Sequence, residues 1–535
     1  MLVSISMNSF CGPSQENQTV VIGAGLGGLA CAIDLAARGQ AVTVVEKATA
    51  SGGKMREIRV GDWAVDSGPT VLTLRGVFED LFADAGDRLD RRLTLRPAER
   101  LARHVWPDGA RLDLFSDPER SAAAIGDFAG AAEVAGFRAF RAEAKAIFET
   151  LDGPYLRASK GGPLDLARRI GLSRLGELMA IRPFETLWGA LGRHFRDPRL
   201  RQLFGRYATY CGSSPFAAPA TLMLISHVEQ QGVWLVEGGM QRVAEAMEAL
   251  GRRLGVTFRH EAEVGAIAVA AGGVAGVTLV TGERLPARRV VANADARALA
   301  SGAFGPDAAQ ALDLSPPRDR SLSALTWSME AETRGFDLLR HNVFFSGDYP
   351  AEFHDIFRGD RLPRAPTIYV CAQDREAASS PAPGPERLFV LVNAPPTGDR
   401  RDLSQSEMNA CEAYVFDHLA GRGLAISRTP ERTVLTRPAD FHRMFPATGG
   451  ALYGPATHGW ASAFQRPGAR TRIPGLYMAG GGAHPGAGAP MAVLSGRLAA
   501  AALLQDLDRG STRWSRRGAM SGGTLTPSAA TASSA

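Results

Sequence analysis

The feature that most restricts how this chain can fold is a glycine run set between two different periodicities. Thr19 to Ile22 is a short, largely β-branched stretch, and Gly23-Ala24-Gly25-Leu26-Gly27-Gly28 follows it directly. Gly27 to Arg38 then repeats apolar residues at helical spacing and stops at Gly39. Ala41 to Val45 reads as a second strand, and Glu46 closes it, eighteen positions after Gly28. This is a βαβ opening, which needs parallel strand pairing and a covered sheet. Gly23 permits the sharp turn, Gly25 lets a pyrophosphate approach the backbone, and Gly28 brings the helix close to the sheet. The N–H groups of the first helical turn, with Ala24 in the same loop, favour phosphate. Glu46 can accept a hydrogen bond from an adenosine ribose hydroxyl, and its charge repels a 2′-phosphate. The motif predicts a dinucleotide site and by itself leaves NAD and FAD both open.

Two later segments favour FAD. Gly52-Gly53-Lys54-Met55 and Val65-Asp66-Ser67-Gly68-Pro69 come where an extended cofactor passes from adenosine toward a flavin, and small residues allow its close approach. As isolated sequences both would be surface turns. The third segment, Gly475 to Met491, contains Gly480, His484-Pro485-Gly486 and Gly488, and leads into the helical run Ala492 to Leu504. A helix start there directs its partial positive charge at the side of a flavin that becomes negative on reduction.

A chain of 535 residues exceeds what one hydrophobic core organises. The expected class is α/β: a Rossmann-type FAD-binding fold with an inserted helical subdomain and a mixed-sheet substrate domain. The divisions are an N-terminal extension (1–18), FAD-binding segments at 19–75, 216–300 and 436–509, a helical and possible membrane-docking subdomain (76–215), a substrate domain (301–435) and an unstructured tail (510–535). Amphipathic Phe137 to Leu151 supports the helical insert, and Thr367 to Cys371 and Leu388 to Asn393 read as strands of the substrate domain. The net charge of +5 comes with no nucleic-acid-binding motif. The five cysteines form no C-x-x-C pair and no zinc pattern, so reduced thiols, a cytoplasmic setting and no metal are expected. No secretory signal is read before Gln18. The uncharged or sparsely charged stretches 207–228, 264–282 and 473–496 are each broken by Gly or Pro, which argues against a membrane span.

The order of these segments, from Val20 to Glu46 through Gly52-Gly53-Lys54 and Asp66-Ser67-Gly68-Pro69 to His484-Pro485-Gly486, resembles the bacterial carotenoid and retinoid desaturase family, to which phytoene desaturase belongs. Phe204 to Phe216, Val233 to Met240 and Leu325 to Met329 are most similar to its hydroxyneurosporene (1-hydroxycarotenoid 3,4-) desaturases. The resemblance spans nearly the whole chain. It implies an FAD enzyme that introduces a double bond next to the hydroxylated end of an acyclic carotenoid. It further implies that Gly23, Gly25, Gly28, Glu46, Lys54 and Gly68 contact FAD, with Gly53 in the same turn. Val264 would hold the adenine through its backbone, and Gly480 with Met491 would lie near the pyrophosphate and flavin ends.

Hydride transfer to flavin avoids the large barrier to deprotonating a weakly acidic carotenoid C–H bond. His484, His227, Glu229 and Trp234 are candidates for the tunnel wall; each is as readily an ordinary structural residue. Arg157 to Arg206 carries eleven Lys/Arg against four acids, interleaved with apolar residues, and is expected to dock on the inner face of an anionic membrane. Alternatives are phytoene desaturase, a carotenoid isomerase, a flavin amine oxidase and a non-catalytic dinucleotide-binding scaffold. The scaffold reading expects loss of the C-terminal glycine segment, which is present.

Overall fold

The computed structural model describes residues 18–171, 176, 181–314, 320–375 and 384–520, with side chains as far as 509. At its centre is a five-stranded parallel sheet in the order Leu476–Met478, Arg289–Ala292, Thr19–Ile22, Val42–Val45, Thr257–Arg259. Val20, Val21 and Val44 are fully buried, as expected where both faces of a parallel sheet are covered. Helices Leu26–Ala36, Gln241–Arg253 and Ala489–Met520 cover one face through Leu29, Val243 and Val493. The antiparallel sheet Val264–Ala270, Gly273–Leu279, Arg284–Pro286 covers the other through Val264, Ile267 and Val277. The first and last helices cross so closely that a Cβ at Gly496 would sit 2.0 Å from the Gly27 carbonyl oxygen. The Rossmann-type expectation holds.

The second large sheet has eight strands, with the spine Ala425–Ser427, Ser323–Arg334, Glu386–Ala394, Ile368–Ala372, His341–Phe344, Arg100–Val105, Arg111–Phe115; Thr433–Thr436 also pairs with Ser323–Arg334. Its last two spine strands come from a region expected to be mostly helical, which the structure corrects. Arg100–Val105 pairs in parallel with His341–Phe344, Asn342 opposite Arg103, and so depends on a segment more than two hundred residues away. Leu95–Pro97 is a further short strand there, paired with Trp234–Val236, while Ala131–Leu151, Pro163–Ile170 and Pro198–Gly205 are helices as expected. Helix Gln405–Ala420 packs on the large sheet through Met408, Val415 and Leu419. The final helix continues to Met520, so residues 510–520, expected as tail, are helical. The remainder of the tail and nearly all of the N-terminal extension lie outside the described residues. Among those described, no helix is long and apolar enough to cross a membrane.

Candidate cofactor and substrate site

The three glycine segments, distant in sequence, nest together at the edge of the parallel sheet. Gly25 bridges to Gly52, and a Cβ at Gly53 would lie 3.3 Å from the Gly25 Cα. A Cβ at Gly68 would lie 2.1 Å from the Lys54 carbonyl oxygen, and one at Gly27 would lie 2.8 Å from the Gly480 Cα. Backbone therefore meets backbone at each crossing, and a side chain would force the turns apart. Gly23, at φ +92, occupies the left-handed region that its turn requires. Along this nest runs a cavity of about 940 Å³, which continues between the large sheet and the helical insert.

Gly23, Gly25, Glu46, Gly53, Lys54, Gly68, Val264, Gly480 and Met491 all line that cavity. Ala24 and Gly28 do not, and support it from behind. The Ala24 N–H donates to Glu46 Oε2 at 2.6 Å, and the Ala48 N–H donates to Oε1 at 2.9 Å, which fixes the carboxylate while leaving each oxygen a lone pair for a ligand. Gly28 packs against the first turn, where a Cβ would lie 2.1 Å from the Gly23 carbonyl oxygen. Lys54 Nζ donates to the Leu452 carbonyl at 2.6 Å and lies over Phe445; burial holds its ammonium below the ordinary lysine range. Asp66 turns away from the cavity and accepts the Met240 N–H, at 2.9 Å on one oxygen, at the start of helix Gln241–Arg253. That helix start holds the turn before Gly68 in place.

Three residues missed in the sequence complete the cradle. Asn293 donates through Nδ2 to the Gly23 carbonyl at 3.1 Å, and its side chain lies against Gly27 and Gly480, tying the first and third segments together. Arg466, only 4% exposed, donates to the carbonyls of Gly481, Tyr453 and Pro455 at 2.8, 3.0 and 3.0 Å. Arg56 lines the cavity with its Nη2 buried and unpartnered, a free donor where an anionic group would lie. Both helix N-termini at the nest, at Leu26 and Ala489, add partial positive charge. Glycine-floored backbone, an acid at the ribose end, spare cationic donors and helix starts at both ends fit FAD.

The catalytic candidates separate. His484 is absent from the cavity wall: its Nε2–H faces the carbonyls of Tyr155 and Ala158 at 3.1 and 2.9 Å, and burial holds the ring below the ordinary histidine range. It braces two loops. His227 pairs with Gln231 and packs on Phe148, away from the cavity, and Trp234 lies beneath Arg75. Glu229 does line the cavity; burial raises its carboxyl, against hydrogen bonds from Tyr207 and Tyr210. Arg206, counted above with the docking cations, is in the cavity wall instead. Others of that stretch are paired within the protein: Arg193 with Glu185, and Arg199 with Asp197.

Comparison with known proteins agrees with this geometry. The model of the flavin containing amine oxidoreductase family matches residues 26–504. The chain is 51% identical to the hydroxyneurosporene desaturase of Rubrivivax gelatinosus, over 97% of this chain and 99% of that one. It is 44% identical to the hydroxyneurosporene desaturase of Cereibacter sphaeroides, over 92% and 98%. Among solved structures, an oxidoreductase from Methanosarcina mazei superimposes with a TM-score of 0.55 at 16% identity, over 90% of this chain and 99% of that one, a likeness of fold. By its matched family and its relatives covered nearly end to end, the chain belongs to the flavin-containing amine oxidoreductases and, within them, to the hydroxyneurosporene desaturases, as an FAD-dependent oxidoreductase.

Proposed function

We propose that this enzyme oxidises the C3–C4 bond of an acyclic 1-hydroxycarotenoid to a double bond. One observation carries the reading: the cavity that begins on the cofactor cradle continues between Leu151, Leu222, Ile225, Val343, Phe389 and Leu391, an apolar chamber shaped by two subdomains. Such walls bury a long hydrocarbon without penalty and keep water from the reacting carbon. FAD, when bound, supplies the two-electron acceptor for C–H oxidation. The chain's own residues align the C–H bond and exclude solvent, which lowers the barrier by restricting geometry. Once hydride leaves, charge spreads over the polyene and the neighbouring proton becomes acidic enough for a weak acceptor. Expression in a host that makes 1-hydroxyneurosporene tests this. One further conjugated double bond and a shift of the pigment to longer wavelength are expected; unchanged pigment beside an FAD-loaded protein contradicts it.

The same reading includes peripheral attachment to the inner face of a membrane, the source of a water-insoluble substrate. Phe184 and Trp460 line the cavity, touch edge to face at 5.3 Å, and remain 66% and 45% exposed; Leu164, on a helix that also contributes to the wall, is 76% exposed. The side chains of Arg168 and Arg182 near them in sequence are open to solvent, each at the long end of an ion pair, with Asp165 at 3.8 Å and Glu143 at 3.7 Å. Large apolar groups around a cavity mouth, flanked by cations, suit an anionic bilayer. The double substitution Phe184→Ser, Trp460→Ser is expected to weaken binding to anionic vesicles by about tenfold or more, from the apolar area withdrawn from lipid. Co-sedimentation with vesicles measures it, and unchanged binding removes this face from the account.

A further inference from the structure

An all-hydrocarbon substrate has no use for ions in its chamber, and unpaired buried charge is costly. Yet where the chamber leaves the cradle, its wall holds Arg206, Tyr210, Glu229 and Tyr369. Among the described residues the Arg206 guanidinium makes one hydrogen bond, from Nη1 to the Tyr210 hydroxyl at 3.0 Å, and lies over the rings of Tyr210 and Tyr369 at 5.2 and 5.6 Å. With five N–H donors it has several to spare. Glu229 accepts the Tyr207 hydroxyl on Oε2, while its Oε1 has only a long contact, 3.5 Å, from the Tyr210 hydroxyl. The cluster therefore offers one unused cationic donor and one weakly used anionic acceptor, bridged by a tyrosine. Its place relative to the cofactor is fixed by Tyr369, whose hydroxyl is 2.8 Å from that of Thr70, two residues beyond Gly68 in the cradle.

Resting on the substrate reading above, we infer that Arg206 and Glu229 form the subsite for the substrate's hydroxyl, Arg206 donating to its oxygen and Glu229 accepting its proton in a hydrogen bond. The hydroxyl of a 1-hydroxycarotenoid is borne two carbons from the bond oxidised. A group that reads it must lie near the reacting bond, and Tyr369 and Thr70 tie this cluster to the cradle turn at Gly68. An alcohol is both donor and acceptor, and the pair offers it one partner of each kind. A lone cation here would oppose the positive charge that develops on the polyene; the Glu229 carboxyl, reached from Arg206 across the Tyr210 hydroxyl, offsets part of it. A site built to hydrogen-bond a hydroxyl rejects the analogue lacking it, because its own polar groups are then left unpaired.

The test is the ratio of kcat/KM for 1-hydroxyneurosporene to that for neurosporene, measured on purified FAD-loaded protein. Wild type is expected to favour the hydroxylated substrate, and a wild type that does not overturns the substrate reading before any variant is compared. Given that preference, Glu229→Leu and Arg206→Met are each expected to lower the ratio by about 100-fold. Tyr210→Phe, which removes only the bridging hydroxyl and keeps the ring, is expected to lower it by about tenfold. It decides the matter should the charge variants fail to retain flavin. A structural role would reduce turnover of both substrates together and leave the ratio unchanged, and that result overturns the assignment.

Discussion

Gly25→Val is expected to give a folded protein that binds FAD about 5- to 150-fold more weakly, the range set by a steric cost of roughly 1–3 kcal/mol. A Cβ at Gly25 would already stand 3.0 Å from Asn293 Nδ2, and the two further methyl groups of valine have the cavity as their remaining space. That is where the glycine motif would place the pyrophosphate, against the first turn of helix Leu26–Ala36. The sheet behind is untouched: Thr19–Ile22 keeps its partners on both sides. Flavin absorbance per mole of purified protein, with circular dichroism as the control for folding, measures the effect. Full FAD content would place the cofactor elsewhere.

Arg466→Met is the second large effect. The guanidinium is buried and satisfies three main-chain carbonyls, two on the loop around Tyr453 and one at Gly481, so it joins the loop carrying Leu452, the acceptor for Lys54, to the C-terminal glycine segment. Methionine fills the space and donates nothing. Charged hydrogen bonds contribute about 1.5–3 kcal/mol each, and the carbonyls left behind bear their own desolvation cost; offset by relief of burying a charge, a net loss of roughly 3–5 kcal/mol is expected. Denaturant unfolding of the holoprotein reads it directly, and Arg466→Lys, which restores the charge but not the three-way geometry, should recover only part of the loss. A midpoint unchanged from wild type would mean that the loops are held by packing alone.

What was legible in the sequence was local. Strand Thr19–Ile22, the stop at Gly39 and the placing of Glu46 are written within thirty residues, because turn chemistry and helix periodicity act over that range. The hairpin Arg100–Phe115 escaped detection for the opposite reason. Its strands gain their place by pairing with His341–Phe344, which no window around Arg100 contains. Arg466 and Asn293 belong to no motif; only folding brings an isolated Arg or Asn against three carbonyls or between two glycine loops. The same holds in reverse for His484, singled out by its neighbours Pro485 and Gly486. A histidine ring can face either side of its loop, and here tertiary contacts with Tyr155 and Ala158 turn it from the cavity. Arg206 looked like one cation among eleven on an outer face, and its burial comes from the tyrosines folded around it. Glu229, read both as a tunnel-wall candidate and as an ordinary helix-surface residue, lines the cavity, and its partners Tyr207 and Tyr210 come from a turn about twenty residues earlier, beyond the reach of any local pattern.

On this proposal an apolar chamber with a polar subsite beside the cofactor cradle selects a hydroxylated acyclic carotenoid for desaturation. The most direct test is chromatography of the pigments formed when purified FAD-loaded enzyme is given 1-hydroxyneurosporene, neurosporene and phytoene side by side. The account predicts one added conjugated double bond in the hydroxylated substrate, formed about 100-fold or more faster than any product from the other two. Equal conversion of phytoene would contradict it and make the enzyme a phytoene desaturase.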